Sequence, residues 1–135
     1  MIVVDTNIVA SLWLPTEWSE DSERLLATEP EWSAPLLWRS EFLNVLATYV
    51  RTERLELVQA LDAIESAEAL FIGREFSVGS IPVLSLAAKS GCTAYDCEFV
   101  VVARHLSVPL VTLDRKLLTA FPEVAIHPDR FLGDA

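Results

Sequence analysis

The chain has 135 residues, 52% of them apolar, with a mean hydropathy of +0.36 and a net charge of −10 from 20 acids against 10 bases. That describes one domain over residues 1–135, near the commonest domain size and able to bury about two-thirds of its unfolded surface without staples. It excludes a disordered chain and weighs against a non-specific nucleic-acid binder, which carries a basic footprint; no apolar run approaches the ~20 residues of a membrane span. The apolar fraction is high for a lone monomer and points to a subunit or partner interface. No basic flank precedes an apolar segment at the N-terminus, so no signal peptide is expected and the location should be cytoplasmic. Cys92 and Cys97 lack metal-ligand spacing, and in the cytosol they are expected to be small buried residues rather than a disulfide.

In chain order, Ile2, Val3 and Val4 form a short apolar run that reads as a strand buried on both faces, as in a parallel sheet. Asp5 sits at its carboxyl end, where ligands bind in open α/β sheets. Two roles are open to it: cap of the following helix, or metal ligand or nucleophile on the sheet rim. Asn7 to Trp13 is a short helix with Ile8, Leu12 and Trp13 on its apolar side, ended by Pro15. Between Glu17 and Glu31 the acids gather on a second helix, with Trp18, Ser22, Leu25 and Leu26 inward and the acids solvated.

Trp32 to Ala34 is a short strand. Leu36 to Thr52 and Leu55 to Leu70 read as an antiparallel helical hairpin. The second helix is expected to turn Leu57, Val58, Leu61, Ile64 and Leu70 inward. Phe71 to Phe76 reads as a strand, and Ser80 as the cap of a helix from Ile81 to Ser90, closed by Gly91. Thr93 to Asp96 opens the next helix, which runs to His105. Val108 to Leu113 is a second strong strand that ends at Asp114. Lys116 to Phe121 is a short helix and Val124 to His127 a last strand, with a loose tail from Pro128. Strands alternating with helices imply a central, mostly parallel sheet with helices on its faces.

Four acids stand out. Asp114 repeats the placement of Asp5, and parallel strands deliver both carboxylates at one edge, with neighbouring strands about 4.8 Å apart. Carboxylates that close repel unless a cation lies between them. Glu41 sits mid-helix among Trp38, Phe42 and Leu43, and Asp96 opens an apolar helix. Asp96 has a plain alternative as the acid of a capping box with Thr93, and Glu41 as an exposed polar residue beside Arg39 and Ser40. As a set they offer the oxygen donors that hard cations such as Mg2+ and Mn2+ take. His105 and His127 are too scattered for a zinc site, and no Gly-rich phosphate loop or G-x-S-x-G elbow is present.

The order of these residues resembles the PIN-domain ribonucleases, in particular the VapC toxins of toxin–antitoxin pairs. The resemblance covers essentially the whole chain. It rests on Val4-Asp5-Thr6-Asn7, on Glu41 in Trp38-Arg39-Ser40-Glu41-Phe42-Leu43-Asn44-Val45-Leu46, on Tyr95-Asp96 before an apolar helix, and on Leu110-Val111-Thr112-Leu113-Asp114. It implies a three-layer α/β/α, PIN-like fold in which Asp5, Glu41, Asp96 and Asp114 hold one or two Mg2+ or Mn2+ ions, supported by Asn7, Thr112 and Thr6. Water activated there would attack an RNA phosphodiester in line, leaving 5′-phosphate and 3′-hydroxyl ends. It further implies a homodimer and a cognate antitoxin that covers the site, with Trp13, Leu14 and Trp18 as candidate contacts or plain core residues.

One departure is that Cys97 and Glu98 follow Asp96, where a small Ala is usual, so Glu98 is either an outer ligand or simply exposed. The ions would mask the acids from the RNA, and Arg115 and Lys116 are the bases best placed for a local groove. An acidic body would favour selected, structured RNAs. Two rivals remain at this level. A haloacid-dehalogenase-type phosphatase needs a second Asp two residues after Asp5, where this chain has Asn7. A PIN-fold binding module would carry a degenerate site.

Overall fold

The computed structural model describes residues 1–133. Its centre is a five-stranded, all-parallel sheet in the order β3-β2-β1-β4-β5. The strands are β1 (Ile2–Val4), β2 (Trp32–Pro35), β3 (Glu75–Phe76), β4 (Leu110–Val111) and β5 (Ala125–Ile126). From β1 the chain builds outward to β2 and β3, then returns to place β4 on the other side of β1. The β1/β4 junction is therefore the topological switch point, the crevice where open α/β sheets bind ligands.

The register there is Val3 against Leu110 and Val4 against Val111. The residues that leave the two strands, Asp5 and Thr112, are thereby set side by side. All three β1 residues are buried, as expected of a strand covered on both faces.

Helices α1 (Thr6–Trp13), α2 (Ser19–Thr28), α3 (Leu37–Arg51), α4 (Leu57–Leu70), α5 (Ser80–Ser90), α6 (Ala94–Leu106), α7 (Arg115–Ala120) and α8 (Pro128–Phe131) complete the three-layer fold. The α6 helix lies over β1, β2 and β4 and carries α5 on its outer side, while α3 packs on α1 and β2 and carries α4. None of these helices is long and apolar enough to cross a membrane. The aromatic heart of the core is Trp38. Its ring stacks on Phe71 at 4.4 Å and on Phe42 at 6.4 Å, and its indole N–H donates to Glu75 Oε2 at 2.7 Å.

Three expectations need correction. The α4 helix buries Ala60, Ala63 and Ala67, whereas Leu57, Val58 and Leu61 are 61%, 59% and 55% exposed. Small alanines let α4 approach α3 closely, and Leu57 and Leu61 lie at the open edge of the hairpin, where they line an apolar groove with Leu43, Leu46 and Val50 of α3. Of the two roles open to Leu14, the structure shows the core one, at 2% exposure. The segment after β5 is not loose: His127 Nδ1 accepts from the Asp129 N–H at 3.1 Å and caps α8, with Pro128 buried in its first turn. Ser80 is the first residue of α5 rather than its cap, which is Gly79.

Other features match the expectation. Gly91 ends α5 at φ +73°, a left-handed conformation that glycine adopts without a Cβ clash. Thr93 caps α6 by accepting from the Asp96 N–H at 3.0 Å. Truncating Trp38 to alanine should cost about 3–5 kcal/mol in urea unfolding. Trp38→Phe, which keeps the ring stack, should cost clearly less.

Candidate functional site

Past the ends of β1 and β4 opens a cleft of about 560 Å³, lined by Asp5, Glu41, Asp96 and Asp114. All four acids singled out in the sequence thus share one site, reached from two strand ends and two helices. Asp5 follows β1 directly and caps α1: its Oδ1 accepts the Thr6 N–H at 2.7 Å. The two roles weighed for Asp5 coexist, because one carboxylate oxygen caps the helix while the group as a whole lines the cleft. Asp114 does the same for α7, accepting the Lys116 N–H on Oδ1 at 2.8 Å.

The supporting residues form a connected network. The buried Thr112 hydroxyl donates to Asp5 Oδ2 at 2.7 Å and accepts the Asp114 N–H at 3.0 Å. Thr6 Oγ1 donates to Glu41 Oε1 at 2.7 Å and ties α1 to α3. Asn7 donates weakly to Asp5 Oδ2 at 3.5 Å and accepts from the Leu113 N–H at 3.4 Å. Thr6, Asn7 and Thr112 therefore each touch the acid cluster or the backbone that carries it.

The cluster is electrostatically strained. Burial pushes the Asp5 carboxyl from 3.8 up to about 6; Asp96 and Glu41 add repulsion, and the bonds from Thr112 and Thr6 only partly offset it. Desolvation also raises Glu41, which feels Asp96 and Glu98, and raises Asp96, which feels Asp114. Among the described residues none of the four acids has an ion-pair partner. Lys116 eases Asp96 from a distance. Glu98 does not line the cleft, and desolvation raises its carboxyl too.

No Lys or Arg lines the cleft among the described residues. Several bases serve the scaffold instead. Arg74 donates to the Trp32 and Leu70 carbonyls, Arg104 pairs with Glu123, and Arg54 lies over the Tyr49 ring at 4.0 Å. Ser11, Thr16 and Asn44 also line the cleft although no motif in the sequence marked them as site residues, and Trp18, expected as a core or partner residue, joins them. Asn44 was findable, because it stands three residues after Glu41 and so on the same helix face. Thr16 belongs to a turn that carries no periodic signal.

The PIN-domain family model matches residues 2–125. The chain belongs to the PIN-domain family. This PIN domain is 32% identical over 126 residues to ribonuclease VapC3 of Pyrobaculum aerophilum, covering 90% of this chain and 95% of that protein. Its fold is similar to that of PAE2754 from P. aerophilum, with a TM-score of 0.79 and 22% identity over 98% of this chain and 86% of that one. It is also similar to FitAcB from Neisseria gonorrhoeae, with a TM-score of 0.71 and 20% identity over 95% of this chain and 98% of that one. A toxin–antitoxin complex from Klebsiella pneumoniae matches at a TM-score of 0.67 and 15% identity, again over 95% and 98%. The phosphatase alternative falls with this placement.

The sign of the Asp5 shift makes a prediction for the metal-free protein. A carboxyl raised in the folded state stabilises the fold while protonated, so the contribution of Asp5 is fully present below about pH 4 and is lost as pH rises toward 6. Asp5→Asn should remove that loss and raise stability at pH 7 by up to about 3 kcal/mol. Chemical denaturation at pH 4 and pH 7 reads it directly. A collapse of the Asp5→Asn protein at both pH values would mean that the bond from Thr112 to Oδ2, which an amide nitrogen cannot accept, dominates.

Proposed function

We infer that this PIN domain is a ribonuclease, the toxin of a toxin–antitoxin pair, which hydrolyses RNA phosphodiesters with Mg2+ or Mn2+ at Asp5, Glu41, Asp96 and Asp114. The observation that carries the reading is one cleft at the β1/β4 switch point lined by four carboxylates, none of them ion-paired among the described residues. Kinship with a VapC ribonuclease over nine-tenths of the chain supports the substrate class.

The donor chemistry fits a hard cation. The ligands are all carboxylate oxygens, their mutual repulsion is unrelieved, and Glu41 Oε2 and Asp114 Oδ2 accept no hydrogen bond from the described residues. Among the described residues no three acids converge closely enough to enclose an ion by themselves. That matches the habit of Mg2+, which takes one or two carboxylates and keeps several waters. A bound ion would supply Lewis acidity, lowering the pKa of the attacking water and screening the charge that builds on the phosphate.

The chain's own residues do the positioning. Thr112 keeps its only proton on Asp5 Oδ2, so that carboxylate cannot rotate. Thr6 turns Glu41 so that one oxygen is bonded and the other is open. The Lys116 N–H orients Asp114 in the same way. No His lines the cleft among the described residues, so the acids themselves are the proton acceptors within reach.

The wider assembly has surface available. Leu57, Val58 and Leu61 on α4, and Ile81 and Leu84 on α5, are exposed apolar residues outside the cleft. They supply apolar area for a cognate antitoxin and a second copy of the chain. Cys92 and Cys97 are free thiols, as a cytoplasmic protein would keep them.

The test is cleavage of a structured RNA by purified protein with Mn2+. Asp5→Asn and Asp96→Asn should reduce cleavage to background, as should chelation of the metal. Thr112→Val should cost about 10- to 100-fold in activity or Mn2+ affinity, the usual effect of losing an outer-shell partner. Cleavage by Asp5→Asn equal to that of the parent would overturn the nuclease mechanism.

A further inference from the structure

The cleft is larger than a phosphate and its ion require, and the acids account for only part of its lining. The remainder includes Thr16, Trp18 and Asn44. Trp18 is unusual among the four tryptophans. Trp32 and Trp38 are fully buried and Trp13 packs against the core, tilted on Phe42 at 6.1 Å; Trp18 is not part of that apolar cluster. It is a half-buried indole at the mouth of a polar, acidic cleft.

Its place is fixed. The Trp18 backbone N–H donates to Thr16 Oγ1 at 3.0 Å, and Thr16 Oγ1 donates to the buried Ser11 hydroxyl at 3.1 Å. Ser19 braces the same turn by donating to the Leu14 carbonyl at 2.8 Å and accepting the Thr16 N–H at 2.9 Å. The Trp18 ring meets the His127 ring edge to face at 4.9 Å, and His127 is itself held as the α8 cap. Across α3, Asn44 is exposed one turn beyond Glu41, and its amide makes no hydrogen bond within the chain among the described residues.

We propose that Trp18 and Asn44 form a nucleobase subsite, in which an unpaired base flanking the scissile phosphate stacks on the indole and is read at its edge by the amide. The proposal rests on the ribonuclease reading and deepens it. Without Lys or Arg in the lining, the cleft offers no cationic track for the RNA backbone. What it offers is a π-face, hydroxyls and a free amide. These are the groups that recognise splayed, single-stranded bases. A base inside a duplex cannot present its face to the indole, so the subsite selects loops and ends. The Asn44 amide carries one acceptor and two donors, a pattern matched by the paired donor and acceptor of an adenine edge.

The experiment measures kcat and KM with Mn2+ on a short single-stranded RNA that the parent cuts, and on the same RNA with an abasic nucleotide beside the cleavage site. Trp18→Ala should raise KM by about 5- to 150-fold, the usual worth of one stacked base, with the loss in kcat/KM carried by KM. Trp18→Phe should recover most of it. The abasic RNA should show the same defect with the parent and little further defect with Trp18→Ala, which distinguishes a lost base contact from a damaged fold. Asn44→Ala should narrow the parent's preference among the four bases at that position.

An unchanged KM in Trp18→Ala, or additive losses from the variant and the abasic RNA, would overturn the subsite while leaving the ribonuclease reading intact. Trp18→Ala that loses affinity for a protein inhibitor but keeps its RNA KM would mark this wall as a protein-docking surface and also overturn it. If the parent cuts no RNA, the ribonuclease reading fails and the subsite fails with it.

Discussion

The hydroxyl of Thr112 joins the two strand ends on which the site depends. It has one proton and gives it to Asp5; its lone pair takes the N–H of Asp114. Both bonds exist only because β1 and β4 pair in parallel with Val4 opposite Val111. A slip by one residue would flip every side chain to the other face of the sheet and send the hydroxyl away from Asp5. The apolar residues Ile2 to Val4 and Leu110 to Val111 fix that register by filling the core on both faces. Packing and chemistry are therefore linked at a single buried oxygen.

Around this oxygen the chain accepts a local conflict. Four carboxylates share one cleft, the most buried of them is pushed toward neutrality, and among the described residues none of them is ion-paired. Such a cluster costs stability in the bare protein. Natural sequences retain conflicts of this kind at functional sites, where a ligand resolves them. The two strand-end acids also cap helices, so part of the cost is offset by satisfied backbone N–H groups. Asp5 and Asp114 thereby serve folding and site alike, and a carboxylate at either position is a local structural asset as well as a liability.

The neutral part of the cleft has a different origin. Thr16 and Trp18 come from the turn between α1 and α2, where hydroxyl bonds hold the chain beside the buried Leu14. Asn44 comes from α3 and shares its face with Glu41. The acids and the neutral wall are therefore carried partly by the same helix, and any tilt of α3 would move both together. Outside the cleft, the α4 leucines show how strongly a small-residue face governs packing. Three alanines form the buried face of α4, although the larger Leu57 and Leu61 at its edge carry more apolar surface.

The sequence by itself determined the layer architecture, the helical hairpin, the caps at Thr93 and Gly91, and the identity and order of the four acids. Those features depend on local periodicity, on turn chemistry and on charged residues placed where apolar runs end, all of which are written along the chain. Tertiary structure alone decided which face of α4 is buried, that the residues after β5 close into α8, and that Thr16 and Trp18 join the acids in one cleft. Each of these depends on contacts between segments far apart in the chain: α4 against α3, α8 against α2, and the α1–α2 turn beside the β1/β4 junction. A window of neighbouring residues carries no trace of the partner that will cover it, so Leu57 read as core and Pro128 read as tail until the opposing surface was present.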